Sequence, residues 1–158
     1  MLYNKIKNLP ELTKALKNLK VRNKTIVFTN GCFDILHVGH VSYLTKAKSM
    51  GDVLVVGLNS DSCTRKLKGK KRPIVSQKNR AKILSALSAV DFIVIFDSLT
   101  PYKLIKTLRP DVLVKGGDWK IKTIVGADFV RSYGGLVKSL PYKEGFSTKG
   151  LIKKIKSS

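Results

Sequence analysis

The chain has only two cysteines, Cys32 and Cys63, and they do not form a Cys-x-x-Cys pattern. That shortage excludes a disulfide scaffold, and 158 residues can bury one sizeable core without disulfides or a structural metal. No apolar run approaches a signal h-region or a membrane span, so the expectation is a reduced, cytoplasmic protein with no membrane partner. Arginine is scarce too. Only six of the 31 basic residues (Arg22, Arg65, Arg72, Arg80, Arg109, Arg131) carry the fork that best reads phosphate and guanine. The sequence also lacks a helix-turn-helix pattern, an aromatic platform for single strands and a zinc finger. Despite a formal charge of +21, no nucleic-acid partner is therefore expected. Most lysines are scattered, as on a solvated surface. One cluster is not: Arg65, Lys66, Lys68, Lys70, Lys71 and Arg72 crowd around Gly69.

What the chain does have is 43% apolar residues laid out with regular periods, enough to offset the entropy of ordering. Leu9, Leu12, Leu16 and Leu19 recur at helical spacing after Asn8, with Pro10 in the first turn, and predict a helix over 9–20. Short Val- and Ile-rich runs at 25–29, 53–58, 92–96, 112–114 and 136–140 read as strands buried on both faces. Between them, helices are expected at 39–50, from about Ser60, at 77–90, at 101–108 and at 124–133, each with its punctuation of Ser, Pro or Gly. This alternation predicts an α/β fold: a Rossmann-like, doubly wound parallel sheet of about five strands with helices on both faces. The expected division is an amino-terminal helical extension, 1–23, followed by one domain over 24–156. In such sheets ligands bind beyond the carboxyl ends of the strands, where the winding reverses.

The loop after the first strand is "TNGCFDILHVGH", residues 29–40. It holds both histidines of the chain, His37 and His40, at the start of the next helix, where free backbone N–H groups and the helix dipole favour an anion. Gly31 permits a sharp turn, and Gly39 lets a phosphate approach the backbone. Other uses of the segment compete: a zinc site from Cys32, Asp34, His37 and His40, which would need ligands the chain does not supply elsewhere; a nucleophilic Cys32 with no evident third group; or histidines that only pack. No protein-bound metal is expected. Ser147 reads as the N-cap of a last helix, a second amino end for an anion.

His37-Val38-Gly39-His40 resembles the His-x-Gly-His signature of the nucleotidyltransferase superfamily, and the likeness runs from about Lys24 to Ile155 through "VGLNSD", "LKGKKRPI", "LTPYKLI", "DVLVKGGDW" and "EGFSTKGLI". It is most similar to the branch that adenylylates D-glycero-β-D-manno-heptose 1-phosphate. The resemblance implies transfer of AMP from ATP to that sugar phosphate with release of pyrophosphate, giving ADP-heptose for lipopolysaccharide. Mg²⁺ would ride on the ATP phosphates. Cytidylyl transfer to a polyol phosphate, or adenylyl transfer to FMN, keeps the same chemistry. Partners implied are the two substrates, a homodimer or larger homo-oligomer, and a separate heptose 7-phosphate kinase.

By motif match His37 and His40 would stabilise charge on the phosphates, with Lys68 the best lysine for phosphate contact and Lys66 and Arg72 weaker ones. Asn30, Gly31, Cys32, Phe33, Asp34 and Gly39 would surround the nucleotide, Asp34 organising the loop and helping to place the magnesium-bound triphosphate. Asp61 belongs to the same set, and Arg80 would face the phosphates or form a surface ion pair. Gly116 and Asp118 would lie near the ribose and base, and Phe146, Ser147 and Thr148 near the triphosphate. Two departures stand out: Lys149 where relatives carry a second threonine, and Trp119 in place of tyrosine. Tyr142 replaces the arginine of the glycerol-phosphate cytidylyltransferase branch, which counts against that branch.

Overall fold

The computed structural model describes every residue except Met1, Asp118 and 142–144; the expectations for Asp118 and Tyr142 therefore lie outside the described residues. A 3-10 turn at Leu2–Lys5 precedes α1 (Leu9–Val21), and the rest of the chain alternates. β1 (Ile26–Gly31) leads to α2 (Val38–Lys48), β2 (Val53–Asn59) to α3 (Asp61–Lys68) and α4 (Gln77–Ser85), and β3 (Phe92–Phe96) to α5 (Tyr102–Leu108). β4 (Val112–Gly116), α6 (Ala127–Ser132), β5 (Leu136–Leu140) and α7 (Thr148–Ser157) complete it. The five strands form one sheet in the order β3-β2-β1-β4-β5, and every pairing is parallel.

Alternation along each strand divides the core into two layers. Ile26 and Phe28 of β1, Val53 and Val55 of β2 and Leu113 of β4 pack with α1, α5 and α6. Val27, Leu54, Val56, Val112 and Val114 turn to the opposite face, against Leu44 and Ala47 of α2 and Leu84 of α4. A strand covered on both sides has no polar face to show, which is why these runs are apolar throughout. The chain leaves β1 towards β2 and β3, then crosses to β4 on the other side of β1. The winding thus reverses between β1 and β4, and the crevice at their carboxyl ends is where such a fold takes its ligand.

Two helix ends differ most from the sequence expectation. α4 stops at Ser85 because Ala86, Leu87 and Val90 tighten into i−3 bonds, and the Leu87 carbonyl is taken by Lys5 Nζ at 3.0 Å. α6 begins only at Ala127, after a 3-10 turn at Ile121–Thr123. Gly126 sets that start with φ at 85°, and a Cβ there would come within 2.8 Å of Ile105 Cδ1. Arg65, Lys66 and Lys68 form the last turn of α3, the helix expected from about Ser60, where their charge suits the dipole. The expected α1 has a full capping box: Asn8 Oδ1 accepts from the Glu11 N–H at 2.9 Å and Glu11 returns the bond to Asn8.

Candidate active site

The loop between β1 and α2 is wound through two left-handed residues that are not glycine, Phe33 (φ 46°) and Ile35 (φ 50°). A β-branched residue there costs free energy, so the surroundings must hold the loop in place. Asp34 does most of this. Its carboxylate accepts from Arg72 Nε at 2.7 Å, Ile74 N at 2.8 Å and Val75 N at 2.9 Å, and its side chain is wholly buried. Burial alone would raise the Asp34 pKa, but the Ile74 and Val75 N–H groups and the Arg72 guanidinium outweigh it and hold the carboxyl below its ordinary range. Asp34 thus organises the loop, as expected, with both oxygens engaged by the chain itself rather than turned to a magnesium-bound triphosphate. Arg72 serves the same clamp.

Arg80 does form an ion pair, with Asp61, but from the interior rather than the surface, and it does not reach the cavity where phosphates were expected. It is 1% exposed and ties three segments together, giving Nε to the Val75 carbonyl, Nη1 to the Cys32 carbonyl and Nη2 to Asp61 at 2.7 Å. Asp61 is likewise structural, exchanging backbone-to-side-chain bonds with Gln77, and neither residue lines the cavity described below. Thr148 gives its hydroxyl to the Asp34 carbonyl at 2.7 Å, so it pins α7 to the loop instead of offering that hydroxyl to a nucleotide.

His37 is the N-cap of α2. Its Nδ1 accepts the Gly39 N–H at 3.2 Å, while His40 Nδ1 faces the His37 N–H at 3.4 Å. Both δ nitrogens are acceptors, so each neutral ring carries its proton on Nε2. The rings stack with centroids 3.8 Å apart. Burial lowers the His37 pKa. Burial, then the His37 charge, push His40 down to about 4 against the opposing pull of Asp34. Gly39 is needed here for a reason the sequence did not give: a Cβ would lie 3.0 Å from the His37 ring and 3.1 Å from Phe146 Cβ. Gly31 is similarly required, since a Cβ would meet the Phe33 ring at 2.9 Å.

A cavity of about 970 Å³ opens over the β1–β4 crevice. Of the expected residues, Asn30, Gly31, Cys32, Phe33, His37 and His40 line it, as do Gly39 and Asp34. Lys68 and Gly116 also line it, and the α7 end contributes Phe146, Ser147 and Thr148. Lys66 does not reach it. Ser147 Oγ caps α7 by accepting from Gly150 N at 3.0 Å, so two helix amino ends, of α2 and α7, meet at one wall. Among the polar lining residues that sequence reading missed are Asn59 and Lys115; each is a polar side chain at the end of an otherwise apolar strand. Among the described residues no group of three or more His, Cys, Asp or Glu is placed to hold a metal.

One consequence is testable by pH. Because the folded pKa of His40 is about 4 against 6.5 in the open chain, the unfolded state binds more protons between those values. Stability from the neutral pair is complete above 6.5 and drains as pH falls towards 4. Urea midpoints should fall across that window, and His40→Asn should flatten the slope.

The family described as cytidylyltransferase-like matches residues 28–147. This chain belongs to that family. Its fold is that of the nucleotidyltransferases, and a nucleotidyltransferase is the class of enzyme it is. It is similar to the protein named bifunctional protein HldE of Geobacter metallireducens, 58% identical over 151 residues, 96% of this chain and 31% of that protein. The protein of the same name from Helicobacter pylori is 53% identical over 145 residues, 92% of this chain and 30% of that one. The chain thus spans about a third of the length of these curated relatives. Among solved structures it resembles the lipopolysaccharide core biosynthesis protein of Thermoplasma volcanium, with a TM-score of 0.60, 31% identity, and 76% of this chain covering 97% of that one. The pantoate-beta-alanine ligase of Francisella tularensis shares the fold at a TM-score of 0.62 and 18% identity, over 88% of this chain and 67% of that one. No helix among the described residues is long and apolar enough to cross a membrane.

Proposed function

We propose that this protein transfers AMP from ATP to D-glycero-β-D-manno-heptose 1-phosphate, forming ADP-heptose for the lipopolysaccharide core and releasing pyrophosphate. The observation that carries the chemistry is the pair of neutral imidazoles at the amino end of α2, with the amino end of α7 on the same cavity wall. The choice of acceptor is supported by the extended sequence resemblance and by the likeness to a lipopolysaccharide core biosynthesis protein.

An acceptor phosphate oxygen attacks the α-phosphorus; the bond from that phosphorus to the β-phosphate bridging oxygen breaks, and its electrons leave with pyrophosphate. The acceptor oxygen is already ionised at neutral pH, so the enzyme needs no general base. It needs positioning and donors, because two polyanions are brought together and charge shifts across the phosphoryl oxygens. The Nε2–H groups of His37 and His40 and the free N–H groups of two helix starts supply fixed donors. Lys68 adds a mobile cation. Magnesium enters as part of the ATP substrate: the one described carboxylate lining the cavity, Asp34, is already occupied. The enzyme works in the cytoplasm as a homodimer or larger assembly, and its acceptor comes from a heptose 7-phosphate kinase.

Pyrophosphate release should be measured with ATP or CTP against heptose 1-phosphate, glycerol phosphate and FMN. Turnover is expected with ATP and heptose 1-phosphate. Turnover confined to CTP, or to another acceptor, overturns this reading.

A further inference from the structure

The cavity has a second half that the imidazole pair does not serve. On β1, Ile26 and Phe28 face the α5 and α6 layer, and on β4 Leu113 does the same. Two residues further along each strand, on that same face, come Asn30 and Lys115, and both line the cavity. β1 and β4 are hydrogen-bonded neighbours, so these two side chains make a polar floor beneath walls that include Leu99, Pro101, Leu113 and Ile124. His37 and His40 belong to α2, which packs on the other face of the sheet.

Lys115 is half-buried, and among the described residues its ammonium has no hydrogen bond or ion pair. Among the described residues, the titratable groups that act on it, Cys32 and Lys68, include no carboxylate. Burial pulls its pKa down, the Cys32 thiol pushes it back, and the Lys68 charge lowers it again. An amine placed so, in a strand that is otherwise apolar, costs stability unless an anion joins it. Among the described residues, Asp34 and Asp61, which follow β1 and β2, are engaged by Arg72 and Arg80, and Asp97, which follows β3, accepts from Ser60 and Ser62. With no described carboxylate paired to it, Lys115 is open to an anionic ligand in the cavity that it lines.

We propose that Lys115, with Asn30 beside it, seats the phosphate of the acceptor in the half of the cavity that opens towards α5, leaving the helix-tip half to the nucleotide's polyphosphate. This rests on the proposed adenylyl transfer only for the identity of the acceptor. Lys68, from the end of α3, closes over the same phosphate from the β2 side. The seat holds the acceptor oxygen against the α-phosphorus and offsets the repulsion between the substrates.

The test is Lys115→Met, which keeps the length of the side chain and removes the charge. Calorimetry first measures binding of α,β-methylene ATP, which cannot be cleaved at the reacting bond. Heptose 1-phosphate, mannose 1-phosphate and glycerol phosphate are then titrated into the saturated protein. The sugar phosphate that wild type binds should lose affinity by on the order of tenfold to a hundredfold, the scale of a charge-assisted hydrogen bond. Nucleotide affinity should stay within about threefold, and Lys115→Arg should recover part of the loss. The melting temperature should hold or rise, since a desolvated charge is removed; a merely structural lysine would lower it. An equal loss of nucleotide affinity, no loss of either, or failure of wild type to bind any of the sugar phosphates overturns the proposal. Wild type that binds a sugar phosphate yet releases no pyrophosphate overturns the adenylyl transfer and leaves the seat standing.

Discussion

His40→Ala should lower kcat by roughly a hundredfold to a thousandfold, the cost of removing one preorganised donor from a developing charge. The loss should fall on kcat more than on KM, because phosphoryl charge shifts only as the transition state forms. The structure ties this to a particular proton. His40 Nδ1 is turned to the His37 N–H at 3.4 Å, so its ring hydrogen sits on Nε2 and the imidazole acts as a neutral donor. A pKa near 4 in the free protein keeps it so at working pH. Folding should survive the change, since the bond lost at the helix start is long and the Gly39 N–H keeps its partner in His37. His37→Ala removes that cap as well and costs about 1 kcal/mol of stability besides. Pyrophosphate release by His40→Ala and His40→Asn measures the effect, with the amide expected to restore part of it. Turnover equal to wild type would remove His40 from the mechanism.

The central strands β1 and β2 were legible because both faces are buried over residues 26–28 and 53–58, which must then be apolar. Helix ends were harder. Nothing in the 77–90 stretch marks Ala86 as the point where α-helical bonding gives way to tighter turns, and Ile124 has helical spacing with Ala127 although Gly126 interrupts it. The site shows a sharper limit. Asp34, Arg80 and Thr148 are the residue types that bind phosphate and magnesium, and equally the types that hold a loop by its carbonyls and N–H groups. Spacing places them near the crevice but does not say which way they turn. Two of the non-glycine residues at positive φ, Phe33 and Ile35, are invisible to turn rules that look for glycine there. Lys115 went unnoticed because a lysine in a run reads as an edge of the strand, whereas β4 lies inside the sheet between β1 and β5. A cation in an interior strand is the signal that would have found it.

Arg80→Met should lower the melting temperature by roughly 10 °C, from about 3–5 kcal/mol lost when one partner of a buried ion pair is removed and the shift per kcal/mol of a domain this size. Methionine keeps the apolar stem but stops short of the guanidinium, so the polar groups around it lose their donor. Three bonds go at once, to the Val75 carbonyl, the Cys32 carbonyl and the Asp61 carboxylate, which keeps only its bond from the Gln77 N–H. Arg80→Lys should recover little, because one ammonium on a flexible stem does not span three acceptors in three directions. The strut also joins the catalytic loop to α4, so kcat should fall even where the variant is fully folded, through a loosened His37–His40 pair rather than a missing contact. Nucleotide affinity separates this from a direct phosphate role. Measured by calorimetry well below the melting temperature, a strut leaves it within about threefold, because the helix-tip donors remain. A charge that touched phosphate would instead cost affinity tenfold or more while leaving the melting temperature nearly unchanged. Of these two patterns only the first is compatible with a guanidinium that is 1% exposed and absent from the cavity wall.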